Sequence, residues 1–350
     1  MKDTMSIGHG GGGRLARDLI KGIFLKHFNN PILAPLGDSA VFELNGSKLA
    51  LTTDSFVVKP IFFPGGDIGK LAVCGTVNDL SMVGARPLYL SCGIIIEEGF
   101  SLKDLEAITL SIKESADKAG VEVVTGDTKV IEKSQRVKEP APATSKQGSE
   151  SQSNIYINTA GIGIVENSIE LSIDKIAVGD KIILSGTLGD HGIAVLSKRE
   201  GFDFESTIES DCAALNGLIE KILKAGRIKF MRDPTRGGLA AVLNEIAEDG
   251  NLRIIIDEEA IPVRDDVKGI CEMLGLDPLY IANEGKVVIV SAKDDAENIL
   301  RVLHNDPLGQ NASIIGEVAD KGKYNVYLKT AYGGTRVLDM PVDDPLPRIC

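Results

Sequence analysis

An α+β fold in two units is what this sequence predicts. Strand-like and helix-like runs are mixed without strict βαβ alternation. The 350 residues suit two domains, each long enough to bury a core. Apolar residues at 43% and charged ones at 25% are ordinary for a soluble globular chain, which excludes wholesale disorder.

The elements follow in order. Residues 41–44 and 48–58 are β-rich stretches around Asn45-Gly46, a hairpin signal. Residues 67–84 carry Leu71, Cys74, Val77, Leu80 and Met82 at helical spacing. The apolar run 88–96, bounded by Pro87 and Gly99, reads as a strand. Ser101 with Asp104 opens a helix that stops at Gly120. Strands follow at 121–125 and 155–165. Between them, 133–153 holds Val137 as its one apolar residue beyond Ala and Pro, too little to offset ordering entropy; it reads as a mobile insertion. A second unit starts near Ile176, with strands at 181–185, 252–256, 286–291 and 313–318. Its helices are expected at 191–198, 211–225, after Gly238, at 267–274 and at 296–304. The last dozen residues hold three prolines and two adjacent aspartates, the composition of an extended tail.

Charge and cysteines narrow the function. With 38 Lys and Arg against 50 Asp and Glu the net charge is −12, which argues against nucleic acid as a partner. It leaves nucleotide enzymes open, because metal ions can supply positive charge. No apolar run is long enough to span a membrane, and the N-terminus lacks the apolar core of a secretory signal. Cys74, Cys92, Cys212, Cys271 and Cys350 are odd in number and form no C-x-x-C pair, so a cytoplasmic protein is expected.

Two glycine-rich segments mimic nucleotide motifs. Gly8 to Gly13 fits G-x-G-x-x-G, but no strand precedes it; it is either a flexible arm or one that closes over phosphates with backbone N–H groups. Gly65 to Leu71 fails as a P-loop, with Leu71 where a Ser or Thr is required. The aspartates are the stronger signal. Asp38, Asp54 and Asp127 lie beside strand-like runs, with Asp79 in TVNDLS and Asp233 in RDPTRGG. Singly, each is more often a turn or cap aspartate. Together they suggest a site of hard oxygen ligands. Converging carboxylates repel by about 1 kcal/mol per pair in water and about 4 kcal/mol at an effective dielectric of 20, so such a cluster calls for cations. Gly237-Gly238 opens a helix, which leaves N–H groups for an anion or makes a close-packed cap. Glu284, before an apolar strand, reads on its own as a solvated turn residue. Cys350 ends the chain, on a tail expected to be exposed and mobile, with Arg348 the nearest positive group.

Taken together, the segments resemble one family, the HypE carbamoyl dehydratases of nickel–iron hydrogenase maturation. The resemblance rests on HGGGG at 9–13, the run at 52–81, YLSCGIIIEEG at 89–99, VVTGDTKV at 123–130 and INTAGIG at 157–163. It continues through SGTLGDHG at 185–192, RDPTRGG at 232–238, ANEGK at 282–286, IGEV at 315–318 and the terminal PRIC. The insertion at 133–153 looks longer than the family usually has. The family is similar to PurM-like ATP enzymes such as AIR synthetase, selenophosphate synthetase and thiamine-monophosphate kinase.

The resemblance implies a PurM-like organisation: a glycine-rich arm at 1–37, an ATP-binding and dimerisation domain at 38–168, a C-terminal domain at 169–330 and a tail at 331–350. It implies ATP and Mg²⁺, with Asp38, Asp54, Asp79 and Asp233 as metal ligands. His9, Gly10, Gly11, Gly12, Gly13, Asp127, Thr235, Arg236, Gly237 and Gly238 would bind the nucleotide. It implies dehydration of a thiocarboxamide on Cys350 to a thiocyanate, with Lys129 and Glu284 polarising and deprotonating the amide. Twelve extended residues at about 3.1 Å each reach about 37 Å, enough for the tail to be loaded outside and to react inside. The implied partners are a second copy of the chain, a HypF-type carbamoyltransferase and a HypC–HypD iron-carrying complex. The alternative is a PurM-like enzyme acting on a free small substrate, selenophosphate-synthetase-like or kinase-like, which would tolerate loss of Cys350. A nucleotide-gated scaffold and a thiol redox protein are weaker readings.

Overall fold

The computed structural model describes residues 4–133, 154–201, 208–322, 325–342, 346 and 349–350. The insertion expected at 133–153 lies, Lys133 apart, outside the described residues, as does Arg348.

The arm is more ordered than its glycines suggest. A 3-10 turn Ile7–Gly10 leads into α1 (Arg14–Leu19), a π turn Ile20–Phe24 and α2 (Leu25–Phe28). The first unit is then built from β1 (Ala40–Leu44), β2 (Ser47–Phe56), a small hairpin of β3 (Phe62–Phe63) and β4 (Gly66–Asp67), α3 (Ile68–Met82), β5 (Ala85–Glu97), α4 (Leu102–Ala119), β6 (Glu122–Ile131) and β7 (Ile155–Val165). Asp67 caps α3, its side chain accepting the N–H groups of Gly69 and Lys70. Ser101 caps α4 as expected, and Gly120 ends it in the left-handed region. The sheet order is β1-β2-β7-β5-β6; β6 runs parallel to β5 and the other neighbours are antiparallel.

One face of this sheet is covered and the other is open. Alternate residues of β7, from Ile155 to Val165, are buried beneath α3. α3 is buried on nearly every side because α4, α6 and the sheet all pack on it. The opposite face exposes Leu51, Tyr89 and Ile95.

The second unit continues with β8 (Lys181–Leu184), α5 (Asp190–Glu200), α6 (Asn216–Leu223), β9 (Ile228–Arg232), α7 (Gly238–Gly250), β10 (Leu252–Asp257), α8 (Asp265–Leu274), β11 (Val288–Ser291), α9 (Ala296–His304), β12 (Ser313–Lys321), β13 (Asn325–Lys329) and β14 (Thr335–Val337). Its sheet runs β14-β13-β10-β12-β8-β11-β9. Alternation sorts its side chains: Ile182, Leu184, Val288 and Val290 pack with α7, whereas Ile183 and Ile289 pack with α6 and α9. The helix expected from Asp211 begins only at Asn216. The preceding residues are drawn off to the site described below.

Candidate active site

The end of the chain is packed into the protein. Leu346 and Ile349 join the core that holds Ile193, Val267 and Ile281, and Ile349 is only 1% exposed. The Ile349 carbonyl lies 2.8 Å from His191 Nε2, and Cys350 is half-buried. The expected exposure of the end is thus corrected: Leu346 and Ile349 are buried and Cys350 is half-buried. Burying an aliphatic side chain of this size contributes about 1.5–3 kcal/mol, which holds the end in place. The negative charge at Cys350 is the largest influence raising the Arg236 guanidinium, followed by opposing burial and then Asp54 and Glu284. The terminal cysteine and those carboxylates therefore all act on one arginine.

The aspartates come from four elements. Asp38 precedes β1, Asp54 is in β2, Asp79 in α3 and Asp233 follows β9. Thr52 Oγ1 lies 2.8 Å from Asp79 Oδ2 and 2.9 Å from the Asp38 carbonyl. Arg232 Nε lies 3.1 Å from Asp38 Oδ1 and 3.2 Å from Glu245 Oε2. Burial pushes Asp79 well above the usual carboxylate range, reinforced by Asp233, Asp38 and Asp54. Burial and then Asp38 push Asp233 up to about 8. Burial also raises Asp38 against Arg232, and Asp54 against Arg236.

Among the described residues no three His, Cys, Asp or Glu side chains converge tightly enough to hold a metal alone. The donor set nevertheless suits Mg²⁺, which normally takes one or two carboxylates and completes its shell with phosphate oxygens and water. A cation would also relieve the mutual repulsion that raises these groups.

Glu284 stands beside the aspartates and is 3% exposed, so its reading as a solvated turn residue fails. Its backbone N–H donates to Asp211 Oδ1 at 3.1 Å, and that of Gly285 to Oδ2 at 3.2 Å. Lys286 Nζ neutralises Asp211 at 3.0 Å. Burial works to raise Asp211 but is outweighed by Lys286, His191 and the Glu284 N–H, which hold it low. Gly285 is required because a Cβ there would collide with the Asp211 carbonyl. Asn283 Nδ2 donates to the carbonyls of Pro234 and Ile281, and its Oδ1 accepts the Gly189 N–H. The loop is fixed, yet Glu284 Oε1 has no hydrogen-bond partner. Burial pushes Glu284 well above its usual range, with Asp233 and Asp211 adding to it. A rigid loop presenting an orphan carboxyl oxygen is suited to meeting a ligand.

The glycine-rich arm borders this site. Gly12 has φ +72°, and a Cβ on it would come within 2.7 Å of the Arg236 carbonyl. Arg236 Nη1 donates to the Gly10 carbonyl at 3.0 Å. The Arg14 and Leu15 N–H groups donate to Pro341 and Val342 at 2.9 and 3.2 Å, tying the arm to the start of the tail. Arg17 fastens α1 to Glu248 and Asp249 of α7. His9 Nδ1 instead pairs with Ser6 Oγ at 2.8 Å. Thr235, Gly237 and Gly238 form the turn into α7, next to Asp233.

Lys129 and Asp127 are not brought to this cluster within the chain. They lie on edge strand β6, pair with each other at 2.9 Å, and have side chains 68% and 70% exposed. In register, Lys129 lies beside Ile95 on the open face of the sheet. The sequence reading missed Asp211, Arg232 and His191. His191 gave a signal within SGTLGDHG and Arg232 within RDPTRGG, whereas Asp211 lies in no quoted motif.

Residues 36–165 match the N-terminal domain of the AIR synthase related proteins, and 177–329 match their C-terminal domain. The carbamoyl dehydratase HypE of Rhizobium leguminosarum bv. viciae is 47% identical over 348 residues, covering 99% of this chain and 95% of its own. A solved structure of a HypE–HypF complex shares 48% identity at a TM-score of 0.83, over 92% of this chain and 99% of that one. Another, of HypE in complex with ATP, shares 46% identity at 0.77, over 99% and 100%. The chain belongs to the AIR synthase related family and, within it, to the carbamoyl dehydratase HypE group.

Proposed function

We infer that the chain dehydrates a carbamoyl group carried as a thiocarboxamide on Cys350, using ATP, and so makes the S-cyano group that supplies cyanide for hydrogenase iron-centre assembly. The observation that carries this reading is the docked end of the chain, which puts Cys350 within charge-interaction range of Arg236, an arginine that Asp54 and Glu284 also act on. A free-substrate enzyme has no need of its own terminus there.

The chemistry assigns roles. An amide oxygen leaves poorly, so it attacks the γ-phosphorus of ATP, releasing ADP and leaving the oxygen as a phosphate ester. Loss of both N–H protons and then of phosphate leaves the carbon–nitrogen triple bond on sulfur. Glu284 is the proton acceptor: burial makes its carboxylate a stronger base than an exposed one, and its Oε1 has no partner of its own. Arg236 is placed to hold the negative charge of phosphate and to orient Cys350. Asp38, Asp54, Asp79 and Asp233 would hold Mg²⁺, which when bound screens the triphosphate charge. The Gly10 to Gly13 arm, pinned by Arg236, would cover the phosphates, with Thr235, Gly237 and Gly238 at the N-terminus of α7.

The open sheet face is the proposed surface for a second copy, since a contiguous apolar face of this kind marks an interface. Lys129 and Asp127 lie on that face, so they would join a nucleotide site only in the dimer. A HypF-type carbamoyltransferase would load Cys350, and a HypC–HypD-type complex would take the cyanide. Among the described residues no helix is long and apolar enough to cross a membrane; a cytoplasmic setting agrees with five cysteines that form no disulfide. The test is loading with a carbamoyl donor and ATP, with turnover compared in the protein and its Cys350→Ala variant.

A further inference from the structure

We propose that His191 is a positioning residue for this reaction: it latches the penultimate carbonyl of the chain and thereby fixes where the Cys350 sulfur stands. The proposal rests on the reading that Cys350 carries the reacting group.

The hydrogen-bond directions around His191 are determined by its partners. Its ring is fully buried at the start of α5. A carbonyl only accepts, so Nε2 carries the hydrogen and donates to the Ile349 oxygen at 2.8 Å. In the neutral ring Nδ1 then accepts from Ser210 Oγ, also at 2.8 Å. Ser210 Oγ in turn accepts the Cys212 N–H at 3.1 Å. The chain of donors thus runs in one direction, from the Cys212 backbone through Ser210 and His191 to the tail. Phe63 packs edge-on against the ring, its centroid 5.4 Å away, and blocks rotation. Burial holds the His191 pKa down, which favours the neutral tautomer this arrangement needs.

The position of the bond explains its use. The Ile349 carbonyl and the Cys350 N–H belong to one planar peptide unit. Holding that oxygen orients the plane from which the Cys350 Cα and sulfur project. Burial of the Ile349 and Leu346 side chains gives affinity but no such orientation, because apolar contact is non-directional. Without His191 the carbonyl would be buried unpaired, and the end of the chain would spend more time outside.

Pulse alkylation of the full chain with iodoacetamide, mapped cysteine by cysteine by mass spectrometry, tests this. His191→Phe keeps a ring but removes the donor; His191→Gln restores an N–H near Nε2. For loss of one hydrogen bond, Cys350 in His191→Phe should label about tenfold faster than in the unaltered protein. Buried Cys271 should not change, and His191→Gln should recover most of the protection. His191→Phe should lower the dehydration kcat, His191→Gln should recover most of it, and neither should change the KM for ATP. Unchanged labelling of Cys350 in His191→Phe, equal labelling of the Phe and Gln variants, or a parallel rise at Cys271 would each overturn the latch. The labelling does not depend on turnover. A protected Cys350 that accepts no carbamoyl group would therefore sink the carrier reading and leave the latch standing.

Discussion

Asp211 and Glu284 are joined backbone to side chain: the carboxylate of the first accepts the N–H of the second at 3.1 Å. The segment that would otherwise extend α6 towards its N-terminus is thereby committed to supporting the loop that carries the proposed base. Glu284 is held by its backbone and keeps an unpartnered side-chain oxygen for the substrate.

Glu284→Gln should lower the dehydration rate by at least about 100-fold, the usual worth of a general base. Its stability in urea should match or exceed that of the parent, because a buried carboxyl with an unpaired oxygen is replaced by an uncharged isostere. Wild-type turnover in the folded variant would remove Glu284 from the chemistry.

Asp79→Asn should abolish ATP hydrolysis and leave the circular dichroism spectrum and melting cooperativity intact. Asp79 is raised by burial and three neighbouring aspartates, the signature of a site built for a cation, and an amide cannot replace the charge. Hydrolysis at the parental rate would place the metal elsewhere.

Asp190 gives a pH-dependent stability. Burial raises its folded-state pKa to about 6 from an ordinary 3.8; Oδ2 takes the Thr187 hydroxyl, while Oδ1 has no hydrogen-bond partner and only the Arg264 guanidinium at 4.0 Å. The folded state then binds more protons than the unfolded one between these values. The contribution of Asp190 to unfolding free energy therefore falls as pH rises through that window and is flat above it, by on the order of 2–3 kcal/mol. Asp190→Asn should lack this component, so the stability difference between variant and parent should grow from about pH 4 to about pH 6. A difference constant across that range would contradict the assignment.

Ile95→Glu, on the open sheet face, should convert the proposed dimer to a monomer in sedimentation velocity, since two copies would bring like charges into an apolar contact. A variant that stays dimeric would move the interface to another surface.

Much of this architecture was legible in the sequence. Periodicity located α3, the Asn45-Gly46 turn located the β1–β2 hairpin, and Ser101 and Gly120 marked the ends of α4. The misses have physical reasons. The helix expected at 211–225 is shortened because Asp211 spends its carboxylate on a loop more than seventy residues away, an interaction that local pattern does not encode. β9, β13 and β14 were not expected, although β13 alternates, with Val326 and Leu328 buried. The arm read as irregular because its glycines precede a helix pinned by Arg17 to α7. At the site, the aspartates were visible as a set, but Glu284 looked like a surface turn and the tail looked free. Both errors come from reading a short polar or proline-rich segment by composition, when tertiary burial among Ile193, Val267 and Ile281 decides it.

The central claim is that Cys350 carries the group that is dehydrated. Peptide mapping by mass spectrometry, after reaction with a carbamoyl-loading system and before and after addition of ATP, tests it most directly. The expected result is a carbamoyl adduct on the terminal peptide that loses the mass of one water only when ATP is present, and no adduct in Cys350→Ala. Label on Cys74, Cys92, Cys212 or Cys271, or a cyanated product from Cys350→Ala, would contradict it.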